Sequence, residues 1–275
     1  ICSMGVERME ARFQWLREKL EFNKGGWKEL YLQVFFRAFG FGKNQDNFDL
    51  LAQTLPSVVV EKHCSNLFQL ESLIFGQAGL LPDRNLDAYG KALKSEFQFL
   101  RSKYDLNLNS RIVWRSRRTR PNNQPVFRLA QLAAWIHCNP DFFRQIHSIG
   151  LSRTRLPPES FVSSYWENHL DFGKEGTLSQ KFLSEGVLNL IHINAVLPLN
   201  AYYLSCHNCH EAQQDWMEVL EDLPAENNYV VKLWKDAGFR VPNAFYSQAF
   251  LSMYKNYCSE RRCLLCKIGQ LILKV

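Results

Sequence analysis

The sequence predicts an all-α protein, a multi-helix bundle of about ten to twelve short helices in two packed lobes, and three observations predict it. Apolar residues recur at three- and four-residue steps along most of the chain. Gly, Pro, Asn and Ser punctuate those stretches at helix-length intervals. No stretch alternates apolar and polar residues for long enough to read as a strand.

Met9, Phe13, Leu16 and Leu20 place a first amphipathic helix over Val6–Phe22, ended by Gly25-Gly26. A second spans Trp27–Phe39 and stops at Gly40-Phe41-Gly42. A third, capped by Asn44 or Asp46, runs to about Leu55, before Pro56. Further helices read as Asn66–Ala78, Leu86–Tyr104, Pro125–Cys138, Pro140–Ile149, Pro157–Leu170 and Gln180–Val196. Glu211–Leu220, Asn228–Ala237 and Asn243–Tyr257 follow, with a last helix starting near Cys263 or Leu264. The apolar stretch Leu188–Leu204 is shorter than the ~20 residues of a membrane span and holds His192, Asn194, Pro198 and Asn200. It reads as a buried core helix that Pro198 ends or kinks, with no membrane role.

The long irregular segment 105–124 divides the chain into an N-terminal lobe, 1–104, and a C-terminal lobe, 125–275. Compact domains seldom keep a structureless loop of about twenty residues without a use for it. A second, shorter break falls at 173–179.

At 46% hydrophobic and 13% aromatic residues, with 20 Phe and 7 Trp, the chain has material for a large core and is not a disordered composition. Its 33 Lys+Arg against 27 Asp+Glu give a net charge of +6, compatible with anionic partners. Eight cysteines without a secretory leader read as reduced thiols or metal ligands in the cytoplasm rather than disulfides. The chain opens at Ile1, so a fragment of a longer protein is the expectation.

The excess charge is local. Arg111, Arg115, Arg117, Arg118 and Arg120 crowd the irregular segment, Arg128 follows in the next helix, and no acidic residue occurs from Leu106 to Ile136. Guanidinium groups fork onto phosphate oxygens, and Trp114 and Phe127 offer rings on which bases stack, which points to nucleic acid or a phosphorylated partner. The competing reading has these arginines at helix C-termini, paired with acids from elsewhere, or solvated.

Cys258-x4-Cys263-x2-Cys266 is the second feature: three thiolates at such spacing suit zinc or an iron–sulfur cluster, given a fourth ligand. Cys206-His207-Asn208-Cys209-His210 offers candidates for that ligand. The competing reading makes the three cysteines buried small hydrophobes on helix faces.

The turn Phe39-Gly40-Phe41-Gly42-Lys43 resembles a helix-hairpin-helix element, whose backbone N–H groups cradle phosphate. Asp46 and Asp49 in the following helix favour ordinary capping instead. Catalytic signatures are missing: the sequence has no P-loop, no G-x-S-x-G, no H-E-x-x-H and no dinucleotide fingerprint. His63, His137, His147, His169 and His192 stand apart from one another. Glu167 and His169, two apart on a helix, point away from each other, and Asn194 is expected to satisfy a buried backbone group.

Several phrases together resemble a bacterial family known as domain of unknown function 2851. They are Phe39-Gly40-Phe41 to Asn44 with Leu55-Pro56, Glu71-Ser72-Leu73-Ile74-Phe75-Gly76-Gln77-Ala78-Gly79-Leu80-Leu81, and Arg118-x-Arg120-Pro121-Asn122 with Arg128–Ala133. Ile193-Asn194 with Pro198, Ser247-Gln248-Ala249, and Tyr257-Cys258 to Cys263-x2-Cys266-x-Ile268-Gly269 complete the set. The sequence departs from the family at Asn123-Gln124-Pro125, where Asn-Phe-Pro is commoner, and at Cys206-x2-Cys209, which the resemblance does not include. The resemblance implies no activity. It implies an additional, β-rich N-terminal region with nuclease-like phrases, not contained in this sequence, beside which the helical part would grip or position a nucleic-acid strand. The rival classes are a protein-interaction scaffold with no nucleic-acid role, and a complete enzyme with an unrecognised pocket.

Overall fold

The computed structural model describes residues 2–82, 86–116, 123–141, 156, 160–176, 182–207, 212–266 and 268–270. These residues are overwhelmingly helical. The helices are α1 (Cys2–Phe22), α2 (Trp27–Phe39), α3 (Gln45–Gln53), α4 (Ser57–His63), α5 (Leu67–Gln77), α6 (Ala88–Tyr104), α7 (Pro125–Cys138) and α8 (Ser164–Glu167). After the strands β1 (His169–Asp171) and β2 (Lys174–Glu175) come α9 (Glu185–Ile191), α10 (Leu197–Cys206), α11 (Ala212–Asp222), α12 (Tyr229–Asp236) and α13 (Ala244–Met253). Most of the helix expected at Pro140–Ile149 lies outside the described residues.

The chain forms two compact units. One draws its described residues from 1–21 and 197–275, the other from 22–148 and 155–196. Residues 105–116, expected at the division between lobes, lie inside the second unit.

The second unit is organised around α5 and α7, which are buried along most of their lengths because their apolar residues occupy nearly every face. α5 packs on α6 and α7, and α2 packs on α3 and α7. Phe35 meets Trp135 with ring centroids 4.6 Å apart, and Phe75 stacks on Trp166 at 5.2 Å. Gly76 lets α5 and α6 approach closely, since a methyl there would stand 2.1 Å from the Phe97 ring. Helix starts are fixed where a side chain accepts a first-turn N–H: Asn66 from Gln69 at 3.1 Å, Asp87 from Gly90 at 2.9 Å.

In the first unit, Met4, Val231, Val241, Ala249, Phe250, Met253 and Cys266 form one apolar cluster, with Trp234 stacked on Phe250 at 4.6 Å. Beside it, Arg8 donates to Gln248, which donates in turn to Glu226.

Three expectations need correction. The helix expected over Pro157–Leu170 shrinks to four residues, and its last part is instead the short antiparallel hairpin β1–β2. Glu167 and His169 therefore do not share a helix; His169 stacks on Tyr165 at 3.9 Å. Pro198 does not end its helix: α9 and α10 join through a π-helical segment, His192–Val196, which lies ahead of the proline that cannot donate to the Asn194 carbonyl. Glu185–Cys206 is the one run among the described residues long and apolar enough to cross a membrane, and 67% of its apolar window is buried inside the protein, as in a core helix. Asn194 donates to Leu190 O at 2.9 Å, the backbone role expected of it.

Candidate nucleic-acid interface

The α2–α3 junction is shaped by two glycines. A Cβ on Gly40 would lie 2.6 Å from the backbone N and Cα of Gln45, so only glycine lets the chain reverse this tightly. Phe41 and Gly42 both take positive φ, 30° and 75°. Asn44 then occupies the N-cap position of α3, where a side-chain cap was expected, but makes no capping bond. Asp46, the other capping candidate, pairs with Arg37 at 2.6 Å.

The Asn44 side chain is engaged elsewhere. Its Nδ2 donates to Arg115 O at 3.1 Å and its Oδ1 accepts from Arg115 N at 3.0 Å. One helical turn on, Asn47 does the same for Val113, donating to its carbonyl at 2.8 Å and accepting from its N–H at 3.1 Å. Two side-chain amides thus replace the neighbouring strand of a β-ladder and hold residues 112–116 extended. Trp114 faces inward, donating Nε1–H to Ala78 O at 2.7 Å with its ring edge-on to Phe48 at 5.3 Å. Trp114 is thereby a packing residue, not an exposed stacking platform.

Because strand side chains alternate, the residues on the other face point to solvent. Arg111, Val113 and Arg115 are all exposed, and Val113 is 68% accessible. Lys43 is exposed on the adjoining turn. The segment is anchored upstream as well: Asp105 closes α6 in the left-handed conformation, Arg101 Nε donates to Leu106 O at 3.1 Å, and Asn109 Oδ1 accepts from Arg111 N at 3.0 Å. Of the segment expected to be an irregular basic loop, residues 112–116 are pinned and extended.

Arg128 behaves differently from its neighbours. It sits in the first turn of α7 and is only 6% exposed. Nη1 donates to Gln131 Oε1 at 2.8 Å, Nη2 donates to Asn123 Oδ1 at 2.6 Å, and the guanidinium carbon stands 4.4 Å above the Phe41 ring. Burial pushes its pKa down to about 10. Arg117, Arg118 and Arg120 lie outside the described residues.

The comparisons with known proteins give a family and no activity. The sequence profile of a family described as "Protein of unknown function (DUF2851)" matches residues 1–229. The chain belongs to that family. No curated protein and no solved structure matches it. The DUF2851 match takes in the α2–α3 turn, the extended basic segment and α7, and ends before the cysteine triplet.

Cys258 and Cys263 are exposed, whereas Cys266 is buried in the apolar cluster of the first unit. Partial desolvation raises the Cys258 thiol pKa, and its proximity to the Cys266 and Cys263 thiols raises it further. Among the described residues, no group of three or more His, Cys, Asp and Glu side chains comes together as metal ligands would. Cys209 and His210 lie outside the described residues, and His207 turns its Nδ1 toward Tyr203 O at 2.7 Å.

A polar centre that the sequence did not signal surrounds Glu71. Its carboxyl is fully buried, and Tyr89 donates to Oε2 at 2.5 Å. Burial raises its pKa to about 7, against the hydrogen bond from Tyr89 that lowers it. Tyr89, Tyr165 and His169 form a three-ring stack with centroids 4.2 and 3.9 Å apart, and Tyr165 donates to Asp87 at 2.5 Å. Only Glu71 within the specific phrase Glu71–Leu81 hinted at this, as a charge in an otherwise apolar helix.

Proposed function

We propose that this chain grips a nucleic-acid strand through its extended basic segment, acting as a binding or substrate-positioning part. The observation that carries the reading is the pair of side-chain clamps, Asn44 on Arg115 and Asn47 on Val113. A segment whose arginines were merely solvated has no need of four backbone hydrogen bonds from buried amides. Fixing the backbone before binding removes much of the ordering cost that a flexible basic loop meets on contact with its ligand. The clamp fixes Arg115 at an exposed position, and the turn closed by Ile112 N donating to Asn109 O leaves Arg111 exposed just upstream of it. Guanidinium groups so placed contact successive phosphates of one strand without reading base edges, so the grip is expected to be indifferent to sequence.

The test is fluorescence anisotropy of labelled single- and double-stranded DNA and RNA at two salt concentrations. The expected result is micromolar affinity that weakens steeply with salt. In single strands, the double variant R111A/R115A should flatten the slope of log K against log salt by about 1.4, from about 0.7 per lost phosphate contact. Absence of binding at low salt would overturn the reading and favour a protein-interaction scaffold.

A further inference from the structure

We infer that Arg128, at the N-terminal end of α7, is the base of a socket for a single phosphate monoester, such as the phosphorylated end of the strand held by the basic segment. The inference about the strand rests on the function proposed above; the socket itself does not.

The geometry comes from helix direction. Side chains of a helix lean toward its N-terminus, and Arg128 in the first turn reaches back beyond the helix start to Asn123. Its guanidinium therefore lies where the helix dipole already favours an anion. The cap position is held by Gln124, whose side chain makes no capping bond and donates instead to Ser116 O at 3.2 Å. The Arg128 partners among the described residues are neutral: two amide oxygens and the face of Phe41. Its Nε is buried and has no hydrogen-bond partner among the described residues. A cation this deeply buried is costly unless it is compensated, and amide oxygens compensate only part of a full charge. An anion would supply the rest, and a guanidinium is suited to a planar fork on phosphate.

Burial also selects the form of the ligand. Arg128 is 6% exposed, so a phosphodiester in mid-strand, flanked by sugars on both sides, cannot approach it closely. A terminal phosphate has one free side and an added negative charge. Arg111 and Arg115, by contrast, are exposed and open to internal phosphates. The two sets divide the work: an exposed row for the strand, one recessed arginine for its end.

The experiment compares a single-stranded oligonucleotide carrying a 5′-phosphate, its 3′-phosphate isomer and its hydroxyl-ended twin by anisotropy, alongside thermal denaturation in inorganic phosphate and in chloride at equal ionic strength. The wild type should prefer one phosphorylated end by about tenfold, as expected of one charge-assisted fork. It should also be stabilised by phosphate beyond chloride. Arg128→Gln should erase both effects while keeping the salt-dependent binding of the hydroxyl-ended strand, and R111A/R115A should do the reverse. Equal affinity of the wild type for all three strands, together with no phosphate-specific stabilisation, overturns the socket and leaves the strand grip standing. If no strand binds but phosphate stabilises the wild type and not Arg128→Gln, the socket stands with a free phosphate monoester as its ligand and the strand grip falls. The wild-type comparison decides the matter even if Arg128→Gln fails to fold.

Discussion

Asn47 and Val113 are joined as two β-strands would be, although one is a side chain on α3 and the other a backbone 66 positions later: Nδ2 gives a hydrogen bond of 2.8 Å and Oδ1 receives one of 3.1 Å. Asn44 repeats the pattern on Arg115. The clamp separates what holds the basic segment from what the segment presents, so the two can be changed independently.

Asn47→Ala should therefore lower stability by about 1–2 kcal/mol through the two lost bonds, and weaken strand binding through loss of order. Arg115→Ala, at an exposed position, should leave the melting temperature within about a degree or two while reducing binding. Denaturation and anisotropy on the same preparations check both. A melting temperature unchanged in Asn47→Ala would mean that the clamp does not form.

Gly40→Ala offers a second test of the same junction. The added methyl would meet the Gln45 backbone at 2.6 Å, and backbone atoms cannot rotate out of the way as a side chain can. A loss of about 1–3 kcal/mol is expected. Strand binding should fall as well, because Asn44 and Asn47 take their places from the start of α3. Gly42→Asn, where positive φ is the sole demand, should cost much less.

The fold was legible where local chemistry agrees with tertiary packing. α2 and α7 begin and end as expected because Gly40 closes the one and Pro125 opens the other at its first position. Residues 157–170 misled because the helix around Tyr165 and Trp166, whose rings are taken up by Tyr89 and Phe75, ends at Glu167, where the chain turns into the β1–β2 hairpin. The short α4 was passed over behind Pro56, and the clamp was hidden because asparagine at a helix start reads as a cap. Arginine clustering was visible in the sequence; that one of the cluster, Arg128, is buried against Phe41 was not, since the two lie 87 positions apart.

Glu71 gives the protein a pH dependence of definite sign. Its folded pKa of about 7 lies above the ordinary 4.5, so between those values the folded chain keeps a proton that the unfolded chain has released. Stability should fall as pH rises through that window, by up to about 3 kcal/mol from this group alone. Glu71→Gln keeps an oxygen to accept from Tyr89 and cannot ionise. Its melting temperature should vary less between pH 5 and pH 8 than that of the wild type. Parallel curves for the two proteins would show that Glu71 does not titrate in this range.

The cysteine triplet is separable by the same kind of comparison. As a small apolar side chain among Met4, Val231 and Phe250, Cys266 should tolerate alanine at modest cost, while Cys266→Ser buries a hydroxyl at about 1–3 kcal/mol. Cys258→Ser and Cys263→Ser, both at exposed positions, should change stability by less than about 0.5 kcal/mol. Metal ligands behave otherwise, because losing any one thiolate dismantles the site, so all three serine variants would be destabilised alike and the wild type would carry zinc or iron by elemental analysis. The burial of Cys266 beside two exposed partners predicts the unequal series and no stoichiometric metal in anaerobically purified protein. Three equal losses accompanied by bound metal would mean that the segment closes around an ion into a different arrangement from the one described.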